Sequence, residues 1–134
     1  MALNRKSLFA RPIAKPQECS LPGGGSVLMR IPGGQDWRAY QASLRDKDGR
    51  YLDKRLERGD ELLIATLIID PESLELMFSV DDVMGGVFDD PHIPAADINA
   101  MSAKAYQLYG RTEAPTLVTD EDREKNSLET APKE

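Results

Sequence analysis

The sequence holds one cysteine, one histidine and one tryptophan, and it has no long apolar run. Cys19 alone cannot close an internal disulfide or assemble a metal site, which suits a reducing compartment. His92 has no second soft or nitrogen ligand near it in sequence, and no serine or cysteine is placed beside it as a nucleophile. Zinc and hydrolase chemistry therefore lack their usual residues. The longest apolar stretch, Leu62 to Ile69, falls well short of the ~20 residues that cross a bilayer. Near the N-terminus, Ser7-Leu8-Phe9-Ala10 is broken by Arg11-Pro12 and does not form the apolar core of a signal peptide. These absences predict a soluble, cytosolic chain with no membrane partner, metal or cofactor.

Positive charge is also scarce. Lys and Arg number 17 against 23 Asp and Glu, giving a net charge of −6 and a pI near 4.8. Nucleic-acid affinity comes from a concentrated basic surface that neutralises phosphates, so nucleic acid is excluded as the main ligand. At 134 residues the chain is long enough for one domain, with part of it too polar to join a core.

What is present divides into three parts. Residues 1–15 form a basic arm, with Arg5, Lys6, Arg11 and Lys15 and no acid before Glu18. Such an arm reads as a flexible, solvated terminus, or as one that folds back or reaches a partner. Residues 16–110 form the globular part. From Arg111 the composition turns acidic, with seven acids against four bases, and Leu117, Val118 and Leu128 are too few to offset the entropy of ordering it. Residues 111–134 are expected to be a disordered acidic tail.

Within the globular part, Glu18 to Ile31 predicts a β-hairpin around Pro22-Gly23-Gly24-Gly25. No Gly-Lys-Ser/Thr follows those glycines, so they do not read as a phosphate loop. Asp36 to Arg45 predicts a helix with Asp36 as N-cap and Trp37, Tyr40 and Leu44 near one face, Trp37 serving as a core anchor. Arg50 to Arg58 is strongly charged. Leu62 to Ile69 admits either helix or strand, with helix favoured by Asp60-Glu61 before it and strand by its β-branched residues. Ser79-Val80-Asp81-Asp82 predicts a capped helix start, after which Val80, Val83, Met84, Val87 and Phe88 share a helical face that Gly85-Gly86 weakens. Pro94 to Tyr109 is the clearest helix, with Ile98, Met101, Ala105 and Leu108 in one stripe and Gly110 as its stop. The expected fold is α+β: a small single domain with an N-terminal β-hairpin packed on three to four helices.

Candidate chemistry fails residue by residue. Asp46, Asp48 and Glu57 match positions of a calcium loop, but Tyr51 stands where the sharp turn requires glycine. Arg58-Gly59-Asp60 matches an adhesion tripeptide without a secreted context. Asp81/Asp82 suit a helix start, and Asp89/Asp90 sit in a Pro-flanked loop. The reading is non-catalytic. An enzyme would need a polar pocket converging on His92 and these aspartates.

The order of an apolar segment, an Asp-containing turn, Phe78-Ser79-Val80-Asp81-Asp82-Val83, a loop and a last helix ending at Tyr109-Gly110 resembles the tail assembly chaperones of long-tailed bacteriophages, lambdoid and HK97-like. The similarity covers about residues 16–110, and Gly85-Gly86 departs from the helix-favouring residues expected there. It implies a small oligomerising protein that binds the phage tape measure protein and helps recruit tail tube subunits. Such a protein works in the host cell cytoplasm and is absent from the mature virion. The alternative is a structural virion component, such as a minor tail or head-tail connector protein. On the chaperone reading an amphipathic face meets the partner, and Val83, Met84, Val87, Phe88, Ile98, Met101, Ala105 and Leu108 are the expected contacts unless the two stripes pack on each other as core.

The resemblance also implies a longer product made by −1 ribosomal frameshifting. Glu124-Lys125-Asn126 can be encoded GAA-AAA-AAC, which contains the slippery heptamer A-AAA-AAC in frame, and Lys125–Asn126 is then the junction. A polar tail is a natural attachment point for a second domain. Sequencing the gene checks this: the heptamer is expected, and an AAG codon at Lys125 removes it.

Overall fold

A computed structural model describes residues 2–111. The expectations for the tail beyond Arg111 and for the Lys125–Asn126 junction lie outside the described residues. The domain is α+β, as its sequence pattern predicts: a three-stranded antiparallel sheet with helices packed on it.

The expected hairpin is formed by β1 (Gln17–Ser20) and β2 (Ser26–Met29), paired Cys19 to Val27 and Gln17 to Met29. Its reversal needs Gly24 and Gly25, which adopt φ of 109° and 79°, where a side chain would clash with its own backbone. A third strand, β3 (Ile68–Ile69), pairs with β2 and brings the middle of the chain onto the sheet.

Leu62 to Ile69 resolves into both of its alternatives in succession. Helix α4 (Gly59–Ala65) carries Asp60 and Glu61 in its first turn and ends at Thr66, and the β-branched Ile68 and Ile69 then form β3. Leu62, Leu63, Ile64, Ala65, Leu67, Ile68 and Ile69 are all buried. A helix with four consecutive buried residues must be covered on every side. The cover comes from α2 (Gly34–Ser43), α3 (Asp53–Glu57), α5 (Val80–Met84) and α6 (Ala95–Leu108), each in contact with α4.

Several boundaries differ from expectation. Helix α2 begins earlier than predicted because Gly33, not Asp36, is its N-cap. Asp36 sits three residues inside and accepts from the Gly33 N–H at 2.8 Å, so it closes the helix end from within. The proposed face from Val80 to Phe88 is not one helix. Helix α5 stops at Met84, Gly86 takes φ of 90°, and Val87–Asp89 form a separate 3-10 turn. The Ser79 start is as predicted: Ser79 Oγ accepts from the Asp82 N–H, and Asp82 accepts from the Ser79 N–H. In the basic arm, α1 (Arg5–Phe9) is a short helix that apolar periodicity does not reveal. Its start is set by Asn4 and Ser7, whose side chains each accept from the other's backbone N–H, and it buries none of its residues.

Two contacts tie hairpin to helix. Asp97, buried in the first turn of α6, accepts from the Gly23 N–H at 2.7 Å, and Cys19 Sγ lies 3.7 Å from the Ala100 carbonyl oxygen. No helix among the described residues is long and apolar enough to cross a membrane. Because α4 is enclosed from all sides, Leu63→Ala is expected to lower unfolding free energy by about 2–5 kcal/mol, measured by urea denaturation.

Candidate functional site

The eight residues proposed as a partner surface divide in the structure. Val83, Phe88, Met101 and Ala105 are core residues, each no more than 4% exposed, and offer nothing to a partner in this fold. The physical reason is mutual cover: Phe88 meets Phe78 edge-on with ring centroids 5.0 Å apart, and α5 and α6 both pack on α4. Met84, Val87, Ile98 and Leu108 are half-buried, the last three leaning on that core. Half of the eight are therefore core residues, but α4 provides the main cover for both helices, not the packing of the two stripes on each other. Lys125 and Asn126 lie outside the described residues.

Apart from Leu52, the exposed large apolar side chains of the body lie instead on the segment before α5. Leu74 is 59% exposed, with Leu76 and Met77 beside it. Asp70 builds this knuckle. Its Oδ1 accepts from the N–H groups of Glu72 and Ser73, its carbonyl accepts from Leu74, and its own N–H donates to the Glu75 carbonyl. Leu74 is thereby held at φ of 61°, a left-handed conformation that a bulky side chain adopts only against steric cost. Glycine or asparagine would fit there without strain, and a polar residue would suit the exposure. An apolar residue kept in a strained, exposed position is a surface feature that folding does not require. Leu76 bridges to Ile69, and Met77 donates to the Ile68 carbonyl, so the knuckle continues the sheet for one step. The Asp-containing turn ahead of Phe78 is visible in sequence; the exposure of Leu74 is not.

Behind the knuckle lies an apolar groove of about 160 Å³. Leu62, Ala65, Leu76, Phe78 and Val80 line it together with Ala39 and the Arg30–Asp36 pair. Arg30 also donates to the Thr66 carbonyl at 2.9 Å, which joins the end of β2 to the end of α4 and the start of α2. Thr66 Oγ1 in turn bonds the Tyr109 hydroxyl at 2.7 Å. Trp37, expected as a core anchor, is half-buried at the edge of the core, where it packs against Tyr40 and Tyr109 with the Arg111 guanidinium over its ring.

Asp81, Asp82, Asp89 and Asp90 line an open depression of about 570 Å³ that His92 does not line, and most of the candidate carboxylates are engaged locally. Arg58 grips Glu61 and Asp89, and that ion pair holds Asp89 below the ordinary carboxylate range while raising Arg58. Asp90 accepts from the backbone and ring of His92, which lower it, and His92 itself stands in solvent. Asp46 accepts from the N–H groups of Asp48 and Arg50, closing its own loop. Asp70 is lowered by the Ser73 and Glu72 N–H groups.

Three tyrosines respond to burial. Desolvation first, then the negative Asp60, pushes Tyr40 up to about 12. Desolvation, followed by its hydrogen bond to Asp60, raises Tyr106 further, and burial raises Tyr109. Comparison with family models, with curated proteins and with solved structures returns no match.

The tyrosine shifts set an alkaline limit. A phenol whose folded pKa exceeds its unfolded value of about 10 stabilises fully below that value, and the stability is lost as pH rises through the folded pKa. The tyrosine contribution to unfolding free energy is therefore expected to be constant below pH ~10 and to fall from there toward about 12, the folded value of Tyr40. Tyrosinate absorbance followed together with circular dichroism checks this; ionisation of all tyrosines near pH ~10 in the folded state is the contrary result.

Proposed function

We propose that the chain is a non-catalytic tail assembly chaperone of a long-tailed bacteriophage, which binds the tape measure protein and helps recruit tail tube subunits. The observation that carries this reading is the Phe78–Val83 motif with the knuckle that precedes it. The motif resembles that of the chaperones, and next to it Leu74 is held exposed against its backbone preference. A long helical partner with an apolar stripe needs a protruding apolar contact on the protein that keeps it soluble. Leu74 and Met77 supply one, and Met77 and the half-buried Met84 adapt their shape to varied sequence along such a partner. Of the surface first expected, Met84, Val87, Ile98 and Leu108 remain available to extend the contact.

The acidic body disfavours DNA and suits a basic or mixed-charge partner. On this reading the chain acts in the host cytoplasm, self-associates, and leaves before the virion is complete. A frameshifted longer form at Lys125–Asn126 would then add the part that recruits tail tube subunits.

Two measurements test the proposal. Co-expression with the long helix-rich product encoded downstream is expected to recover that product with the chain. Leu74→Gly and Leu74→Asn should each leave Tm unchanged or raise it, because both residues accept the left-handed backbone, yet reduce recovery of the partner at least about tenfold. Mass spectrometry of purified particles should lack the chain; its presence at structural copy number would establish a virion component instead.

A further inference from the structure

The groove behind the knuckle and the arm ahead of the sheet match one another. The groove holds about 160 Å³, and a cavity of about 150 Å³ accommodates one benzene ring. Phe9, at the end of α1, is 77% exposed and is the most exposed aromatic residue among the described ones, with Leu8 beside it. Charge matches as well. The arm carries Arg5, Lys6, Arg11 and Lys15 without an acid, whereas the chain has no Lys or Arg from Asp70 to Ala103. Glu72, Glu75, Asp81 and Asp82, all exposed, flank the groove's Leu76, Phe78 and Val80 in sequence.

We propose that the groove is the seat of the arm of a second copy of this chain. Phe9 enters between Leu62, Ala65, Leu76, Phe78 and Val80, and the arm's basic residues face the acids of the knuckle and of α5. Helix α1 is already formed and capped before docking, so little ordering entropy opposes the contact. A second copy is favoured over the arm's own body because Phe9 stands 77% exposed, outside the groove of its own chain, and the exposed linker Arg11–Pro16, which bends at Arg11, makes no hydrogen bond to other described residues. Arm and groove are different surfaces, so the contact closes when two copies exchange arms and otherwise propagates head to tail. The chaperone reading implies self-association, and this inference names the contact that makes it; its failure is distinguishable, because it is read from the arm variants and the cross-link and not from recovery of a tape measure protein.

Sedimentation velocity on the full chain tests it. Self-association that rises with protein concentration and weakens with added salt is expected. Removing residues 2–15 should leave single chains, and Phe9→Glu should weaken association about tenfold to a hundredfold while circular dichroism stays unchanged. When an Ala10→Cys chain, which keeps Phe9, is mixed with a Val80→Cys chain, oxidation should yield a disulfide between the two variants. A wild-type chain that remains single at every concentration, self-association that survives both arm variants, or no mixed disulfide would each overturn the proposal.

Discussion

Leu62, Leu63, Ile64 and Ala65 follow one another on a helix of seven residues, and all four are buried. Consecutive residues on a helix point in directions about 100° apart, so such a segment has no face left for solvent. Each large side chain contributes roughly 1.5–3 kcal/mol only if something apolar covers it. Helices α2, α3, α5 and α6 meet that need from different directions, and β3 follows directly so that the same buried run anchors the sheet. The rest of the domain is arranged around this requirement.

Enclosing a helix so completely leaves its ends to be satisfied by polar groups. At one end Arg58 links Glu61 to Asp89, and Asp60 accepts from the Tyr106 hydroxyl. At the other, Arg30 donates to the Thr66 carbonyl and pairs with Asp36, while the Thr66 hydroxyl bonds the Leu63 carbonyl and Tyr109. Every buried side-chain polar atom among the described residues has a partner. Polar networks of this kind fix the register in which the helices surround α4.

The same enclosure explains why the apolar surface lies where it does. Residues on the inward faces of α5 and α6 are consumed in covering α4, so Val83, Met101 and Ala105 are unavailable to partners. The most exposed apolar residues left over are on the knuckle at Leu74, which reaches past the edge of the sheet, and on the arm at Phe9 and Ile13. One is rigid, built by the hydrogen bonds of Asp70, and the other is tethered through two prolines. A body with a fixed apolar projection and a basic arm suits an assembly factor whose contacts are with other chains. That role remains a proposal carried by the Phe78–Val83 motif and Leu74.

Local chemistry was legible in the sequence wherever adjacent residues decide the outcome. The three glycines required a reversal, Ser79 with Asp82 marked a helix start, Pro94 and Gly110 bracketed α6, and charge segregation separated the arm from the body. Even α1 has its signature in Asn4 and Ser7, although no apolar periodicity accompanies it. Tertiary structure alone decided the rest. Periodicity says that Val83 and Met101 share faces with apolar neighbours, but core and docking surface use the same residues, and only the packing around α4 tells them apart. The groove joins Arg30, Leu62 and Phe78, which are distant in sequence, and Leu74 acquires its strained exposure from hydrogen bonds that Asp70 directs. Sequence fixes what each segment prefers; which preferences remain exposed depends on what the fold has already covered.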